Sequence, residues 1–418
     1  MIEQIEIKKI KQIFNKEKVE NLSEYIVNAL VNSDLSTRIK PGDKVGITVG
    51  SRGVSNIDLI LKKIIIFLKR NRVHPFILPA MGSHGGATSE GQLEILESYG
   101  ITEESMGAPI LSSMETIKIG EINNNIPIYF SKEAMNLDGI IALNRVKVHT
   151  DFDSNHVESG ISKVLAIGLG KEKGASSIHS FGVPGLKKIS NISKIIINKA
   201  PVIQGIGILE NSYDQTMEIV CCPPKDIVET DNRLLKKCKK LMPKLPIDSI
   251  DILIVQEIGK DISGTGLDTN IIGRRYINGD KENLLPKIKQ LVVLDLSDKS
   301  HGNAYGIGLA DITTRKLVDK IDYNSMYTNA ITCTFLRRVK VPIAFGTERE
   351  AFEIALRTCW NNNVQRVKLA IIKNTLELEY IYLSKAAFNM IEDKKNLKIC
   401  KGWEKISFDE NGLFNRKL

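Results

Sequence analysis

Apolar residues fall in short unbroken runs separated by longer stretches of mixed polarity. Such runs lie within residues 41–50 (PGDKVGITVG), 74–80 (HPFILPA), 126–130 (IPIYF), 138–144 (DGIIALN) and 200–210 (APVIQGIGILE). In the second half they recur at 250–259 (IDILIVQEIG), 290–297 (QLVVLDLS), 341–346 (VPIAFG) and 366–374 (RVKLAIIKN), the last of them expected to be the final strand. Runs of this length bounded by Gly, Pro or polar residues read as buried strands. Amphipathic helices are expected between them. One covers 55–70, with Ser55 or Asn56 as N-cap and Asp58 in its first turn. A second runs from Ser89, boxed by Gln92, to Tyr99 and stops at Gly100. A basic helix covers 234–246, and Thr347 with Glu350 caps another. Residues 1–40 read as helical and mostly polar-faced. The strand–loop–helix–strand order predicts βαβ units, hence an α/β fold with largely parallel sheets and ligand loops at the strands' carboxyl ends.

At 418 residues the chain is too long for one core, so two α/β domains are expected. The composition break near Pro246 sets them at 1–245 and 246–395, with a polar tail, 396–418, packing back on the first. The net charge of +9 comes from scattered lysines, without a basic stripe interleaved with aromatics, which argues against nucleic acid. None of the six cysteines forms a CxxC pair, so reduced thiols in a cytoplasmic protein are expected. The first residues lack the apolar core of a signal peptide, and the greasiest segment, 57–68, is broken by Asp58, Lys62 and Lys63. No membrane span is expected.

The chemistry concentrates in the loops. Arg52 follows the first strand and is placed to meet a ligand anion, though a solvated loop arginine fits equally well. The second loop, Met81-Gly-Ser83-His84-Gly85-Gly86, sets His84 among glycines just before a helix, where an anion or an acid–base histidine is at home. The stretch 144–182 gathers His149, His156 and His179, five glycines, and lysines 147, 163, 171 and 173. Glycines let backbone approach a ligand, histidine moves protons or binds metal, and lysine bonds covalently to a cofactor carbonyl. Lys163 stands out for its flanking glycines and the apolar run after it, whereas His156 sits among polar residues as an exposed loop residue. In the second half, the glycine-rich loop 259–270 contains Lys260 and precedes Arg274 and Arg275. Ser300-His301-Gly302 echoes the first SHG loop.

Taken in order, Met81-Gly-Ser83-His84-Gly85-Gly86, Asn144-Arg-Val-Lys-Val-His149-Thr, Ser159-Gly-Ile-Ser-Lys163 and His179 resemble the lactate racemase family, over roughly residues 40–280. That family uses a nickel-pincer nucleotide and has two α/β domains with the site in the cleft between them. The resemblance implies that Lys163 carries the cofactor covalently, that Ser83, Gly85 and Gly86 help bind it, and that His179 ligates nickel. It implies His84 and His149 as the acid–base pair, with Arg52 binding the substrate. Residues 151–156 look like an insertion, which makes His156 a competitor for the second base; His149 is preferred because it follows its strand directly. The family's substrate contacts in the second domain have no clear counterparts here, so Lys260 or Arg274 is expected to supply the missing cation. The implied activity is racemisation or epimerisation of a 2-hydroxy carboxylate, an isomerase reaction not restricted to lactate. The implied partners are a small hydroxy acid and the enzymes that make the cofactor. Two other readings stand beside it: a zinc hydrolase using His84, His149 and His179, and a non-catalytic nucleotide- or cofactor-binding protein.

Overall fold

In the computed structural model, which describes residues 2–51, 53–122, 126–154, 156–277, 284–416 and 418, four apolar runs of the first half enter one five-stranded sheet, while the run at 126–130 pairs antiparallel with Thr116–Ile122 in a separate two-stranded sheet. Its order is His74–Pro79, Lys44–Val49, Gly139–Arg145, Val202–Glu210, Thr216–Cys222. All neighbours are parallel except the last pair. The alternation of strand side chains explains why these runs are unbroken. Ile140 and Ala142 enter one core with Ile161, Leu165 and Ile196, while Ile141 and Leu143 enter another with Ile60, Ile64 and Ile206. Both faces of the sheet are covered, as a parallel sheet requires. The helix Ile57–Arg70 buries Ile57, Ile60, Leu61, Ile64, Ile65 and Leu68, a stripe at helical spacing. After Lys44–Val49 the chain goes first to the strand on one side and later returns on the other. That makes the carboxyl end of Lys44–Val49 the switch point where α/β sheets take ligands.

The second half builds an eight-stranded sheet in the order Ile343–Phe345, Ile312–Thr314, Lys287–Val293, Ser249–Val255, Leu369–Ile372, Tyr380–Ser384, Glu6–Gln12, Leu397–Lys405. The first five strands are parallel and the remaining pairings antiparallel. Both units are therefore α/β with mostly parallel sheets. One comprises Asn15–Met242; the other joins Met1–Phe14 to Pro243–Leu418.

Three expectations about chain organisation are corrected. Residues 1–40 are not helical throughout: Glu6–Gln12 is a strand of the second unit, and the α-helix is confined to Leu22–Val31, with short 3-10 turns at Ile2–Gln4 and Asp34–Thr37. The i,i+3 spacing of Ile7 and Ile10 imitates a helical stripe, and the strand accommodates it with a bulge between Lys8 and Ile10. Residues 366–374 do not hold the last strand, because Tyr380–Ser384 and Leu397–Lys405 follow. The tail belongs to the second unit, where Leu397–Lys405 pairs with Glu6–Gln12, and the rings of Phe408 (edge to face) and Phe414 (tilted) pack on Phe352 with centroids 5.3 and 5.5 Å away. Helix Ser89–Ser98 is capped by Thr88, whose side chain accepts from the Gly91 amide, while Ser89 bonds Ser112. The Thr347–Glu350 capping box forms. Among the described residues no helix is long and apolar enough to cross a membrane.

Candidate functional site

A cavity of about 100 Å³ opens in the first unit, beyond the carboxyl ends of its three neighbouring parallel strands. Its walls include His84 from the loop after His74–Pro79, and Arg145, Lys147 and His149 from the extension of Gly139–Arg145. Lys163 closes it from the helical run after Gly160.

Each chemical group is held by a separate device. The loop of His84 crosses helix Ser89–Ser98 so closely that a Cβ on Gly85, at φ +67°, would lie 2.5 Å from the Gly91 carbonyl carbon. Gln92, fully buried in that helix, donates its amide to the Gly82 and His84 carbonyls (3.0 and 3.3 Å). Its orientation is set by Lys171, whose ammonium donates to Gln92 Oε1 (3.4 Å) and to the Pro79 carbonyl (2.7 Å). Burial pushes the Lys171 pKa down to about 8, opposed by the Glu133 carboxylate. The His84 ring lies 2.8 Å, through Nδ1, from the Met81 carbonyl.

His149 is 7 % exposed, and its ring packs against that of Phe152, tilted by 40° with centroids 4.7 Å apart. Its amide donates to Glu158 Oε2 (2.9 Å), and its Nδ1 accepts from the Asp151 amide (3.0 Å). Glu158 is fully buried, also accepts from the Ser154 amide (2.9 Å), and pairs with Lys239 (2.6 Å). This carboxylate folds 149–154 onto itself, which gives the insertion its shape. His156 is exposed and does not line the cavity.

Lys163 ends the short helix Ile161–Lys163 and leads into a single π turn, Val164–Gly168, an irregularity frequent at functional sites. Asp231, from the helix Ile227–Leu241, accepts the Ile161 and Ser162 amides (2.9 and 2.7 Å) at the start of this run. Burial pushes the Asp231 carboxyl up to about 6, and those amides draw it back down. Asn144 clamps the same turn by donating to the Gly160 carbonyl (2.8 Å). His179, half-buried at the end of helix Lys171–His179, has its pKa lowered by burial and by the Lys163 ammonium, against a pull from Asp151. Burial and Lys163 thus favour its neutral form, the form that binds metal.

The structure thus gathers His84, His149 and Lys163 around one cavity, with His179 in the field of Lys163. Arg52 lies outside the described residues. Ser83, Gly85 and Gly86 do not line the cavity, and Gly85 is required by the crossing at Gly91. Lys260 and Arg274 belong to the other unit. Lys260 donates to the Gly264 carbonyl (2.5 Å) and Asn329 Oδ1 (2.7 Å), beside the Tyr305 ring. Arg274, 7 % exposed, is committed to Asp311 (2.7 Å) and the Ile288 and Leu309 carbonyls (2.7 and 3.1 Å), so it works as a packing arginine inside that unit. Among the described residues no three His, Cys, Asp or Glu side chains form a metal-holding group, which leaves the three-histidine zinc site without its geometry.

Sequence reasoning missed Arg145, Gln92, Glu158 and Asp231, and did not single out Lys147. The R-x-K-x-H alternation was the available signal for Arg145 and Lys147, since alternate residues of an extended segment share a face. Both cations are ion-paired: Arg145 to Glu210 and, at 3.7 Å, to Asp214; Lys147 to Asp214 at 3.9 Å.

No family model matches the chain, and no curated relative matches it. Its fold is similar to that of the lactate racemase apoprotein from Thermoanaerobacterium thermosaccharolyticum, at a TM-score of 0.52 and 13% identity, over 88% of this chain and 98% of that one. The molecule therefore shares the two-unit α/β fold of a lactate racemase.

Proposed function

We propose that this chain is an isomerase, a racemase or epimerase of a 2-hydroxy carboxylate that works with a nickel-pincer nucleotide. The observation that carries the reading is a cavity at a topological switch point lined by two histidines and a lysine, with a further imidazole whose pKa that lysine helps to lower. The donor set fits the group: Lys163 offers a primary amine for the covalent link, and His179 a neutral nitrogen for nickel. When bound, the cofactor supplies a reversible hydride acceptor, which a 2-hydroxy acid needs because its Cα–H is hardly acidic.

The chain's own residues do the rest. Arg145 and Lys147, on the same strand extension as His149, draw the substrate carboxylate into the cavity and hold it. Arg52 is proposed to join them, and Lys260 to supply a further cation. His84 and His149 handle the hydroxyl proton. Asp231 and Asn144 fix the turn that presents Lys163. The partners are a small hydroxy acid, not restricted to lactate, and the enzymes that make the cofactor; the proposed location is the cytoplasm.

The test is intact mass and metal analysis of protein co-produced with the pincer-making enzymes, beside Lys163→Ala. A Lys163-dependent adduct with about one nickel per chain is expected. Zinc without adduct, while the same enzymes load a known acceptor, would sink the proposal. Ligand binding that survives loss of both His84 and His149, again without adduct, would favour a binding protein.

A further inference from the structure

We infer that the two cavity histidines hold complementary protons, His84 poised to accept one and His149 poised to donate a hydrogen bond, so that the resting site is prepared for one hand of its substrate. This rests on the proposed function for the substrate class, and on two contacts for the protons. A carbonyl oxygen only accepts, so the His84 Nδ1 that lies 2.8 Å from the Met81 carbonyl bears hydrogen. In the neutral ring the lone pair is then on Nε2. A backbone amide only donates, so the His149 Nδ1 that lies 3.0 Å from the Asp151 amide bears the lone pair. In the neutral ring the hydrogen is then on Nε2.

Neither ring is free to exchange these roles by a small adjustment. The Gly82 and His84 carbonyls of the loop are held by Gln92, whose orientation follows from Lys171, because an ammonium can only face the amide oxygen, and the Met81 carbonyl also accepts from the His84 amide (3.2 Å). His149 is held through its amide by Glu158 and through its ring by the tilted contact with Phe152. Protonating His149 at Nδ1 would set two N–H groups against each other and would require the Asp151 amide to let go. The Asp151 carboxylate, 3.8 Å from Nδ1, is beyond hydrogen-bond reach in this conformation.

The consequence is stereochemical. In the hand whose hydroxyl faces His84, the O–H bond breaks and an N–H bond forms at Nε2. The freed oxygen pair becomes the C=O π bond as the Cα–H pair leaves as hydride, for which the redox cofactor of the proposed function would supply the acceptor. In the opposite hand the hydroxyl meets a His149 Nε2 that already carries hydrogen. Turnover in that sense needs the Asp151 amide contact to break first. The first half-reaction is therefore faster for one enantiomer, and a complete racemisation is gated at His149.

Long-range 1H–15N correlation spectra of the imidazoles, recorded on the full cofactor-free chain at neutral pH, test this directly. One cavity histidine should show a protonated Nδ1 and an unprotonated Nε2, and the other the reverse. His84→Gln and His149→Gln assign the two sets. If either fails to fold, removing the exposed His74, His156 and His301 together with His179 leaves two rings, which must show opposite tautomers. The same tautomer in both rings, or averaged signals in either, would overturn the inference. Because no cofactor is present, this outcome is independent of whether Lys163 accepts the pincer group, which the mass measurement decides.

Discussion

Replacing Lys171 by Met removes a buried charge while keeping the length of the side chain. Lys171 is 1 % exposed, and its ammonium is bonded to the Pro79 carbonyl and Gln92 Oε1. In the folded chain its pKa falls from 10.5 to about 8 through burial. Between those two values the unfolded chain keeps a proton that the folded chain has released, so stability rises with pH across that window. From pH 7 to pH 9 the rise is about 1.4 kcal/mol, the worth of one pH unit above the folded value. The variant lacks this gain. At pH 7 its stability reflects two opposed changes of similar size. Relief of the buried charge is worth roughly 3 kcal/mol for the fall from 10.5 to about 8. Two buried acceptors left without their donor cost about 1–3 kcal/mol each. The slope with pH, rather than the value at pH 7, therefore carries the test. Urea unfolding at pH 7 and pH 9, followed by circular dichroism, measures it as a difference between the two proteins. Cys221 and Cys222, pushed up by burial to about 12 and about 11, act in the opposite sense, but equally in both proteins, and cancel. Parallel pH dependence of wild type and variant would refute the buried, titrating Lys171.

Asp231→Asn leaves one of the Ile161 and Ser162 amides without its acceptor and should cost about 1–3 kcal/mol at pH 5, where the folded carboxyl is mostly protonated, the range for a buried donor left unsatisfied. The folded carboxyl pKa is raised from 3.8 to about 6, so its contribution is full below 3.8 and is lost as pH rises through 6; the gap to the variant should narrow between pH 4 and pH 7, and a gap that widens would contradict this. Gly160→Ala places a Cβ 2.3 Å from Asp231 Oδ1 and should destabilise by about 1–3 kcal/mol, together with weaker cofactor attachment at Lys163. A denaturation midpoint equal to wild type would show that the turn before Lys163 has room to relax.

The apolar runs were legible as strands because burial on both faces removes any need for polar residues between them, as in Gly139–Arg145, buried over its first five positions. The loops holding His84, His149 and Lys163 were legible for a related reason. They follow those strands directly, and parallel sheets expose ligands at that edge. Glu6–Gln12 was not legible: its two isoleucines mimic a helical stripe, and its partners lie more than 300 residues away in Tyr380–Ser384 and Leu397–Lys405. Local pattern contains nothing about a pairing of that range.

The same division runs through the site. Which residue types are present, in which order and behind which strands, was determined by sequence alone. The state of each was decided by tertiary structure. Lys171 and Lys173 look equivalent along the chain, yet one is buried under the His84 loop and the other exposed. Glycine at 160 answers to Asp231, a carboxylate on a distant helix. The protons of His84 and His149 follow from a carbonyl and an amide that face them only after the backbone has turned. Charge state, tautomer and orientation depend on which groups are close in space, and proximity in space is what folding adds to order along the chain.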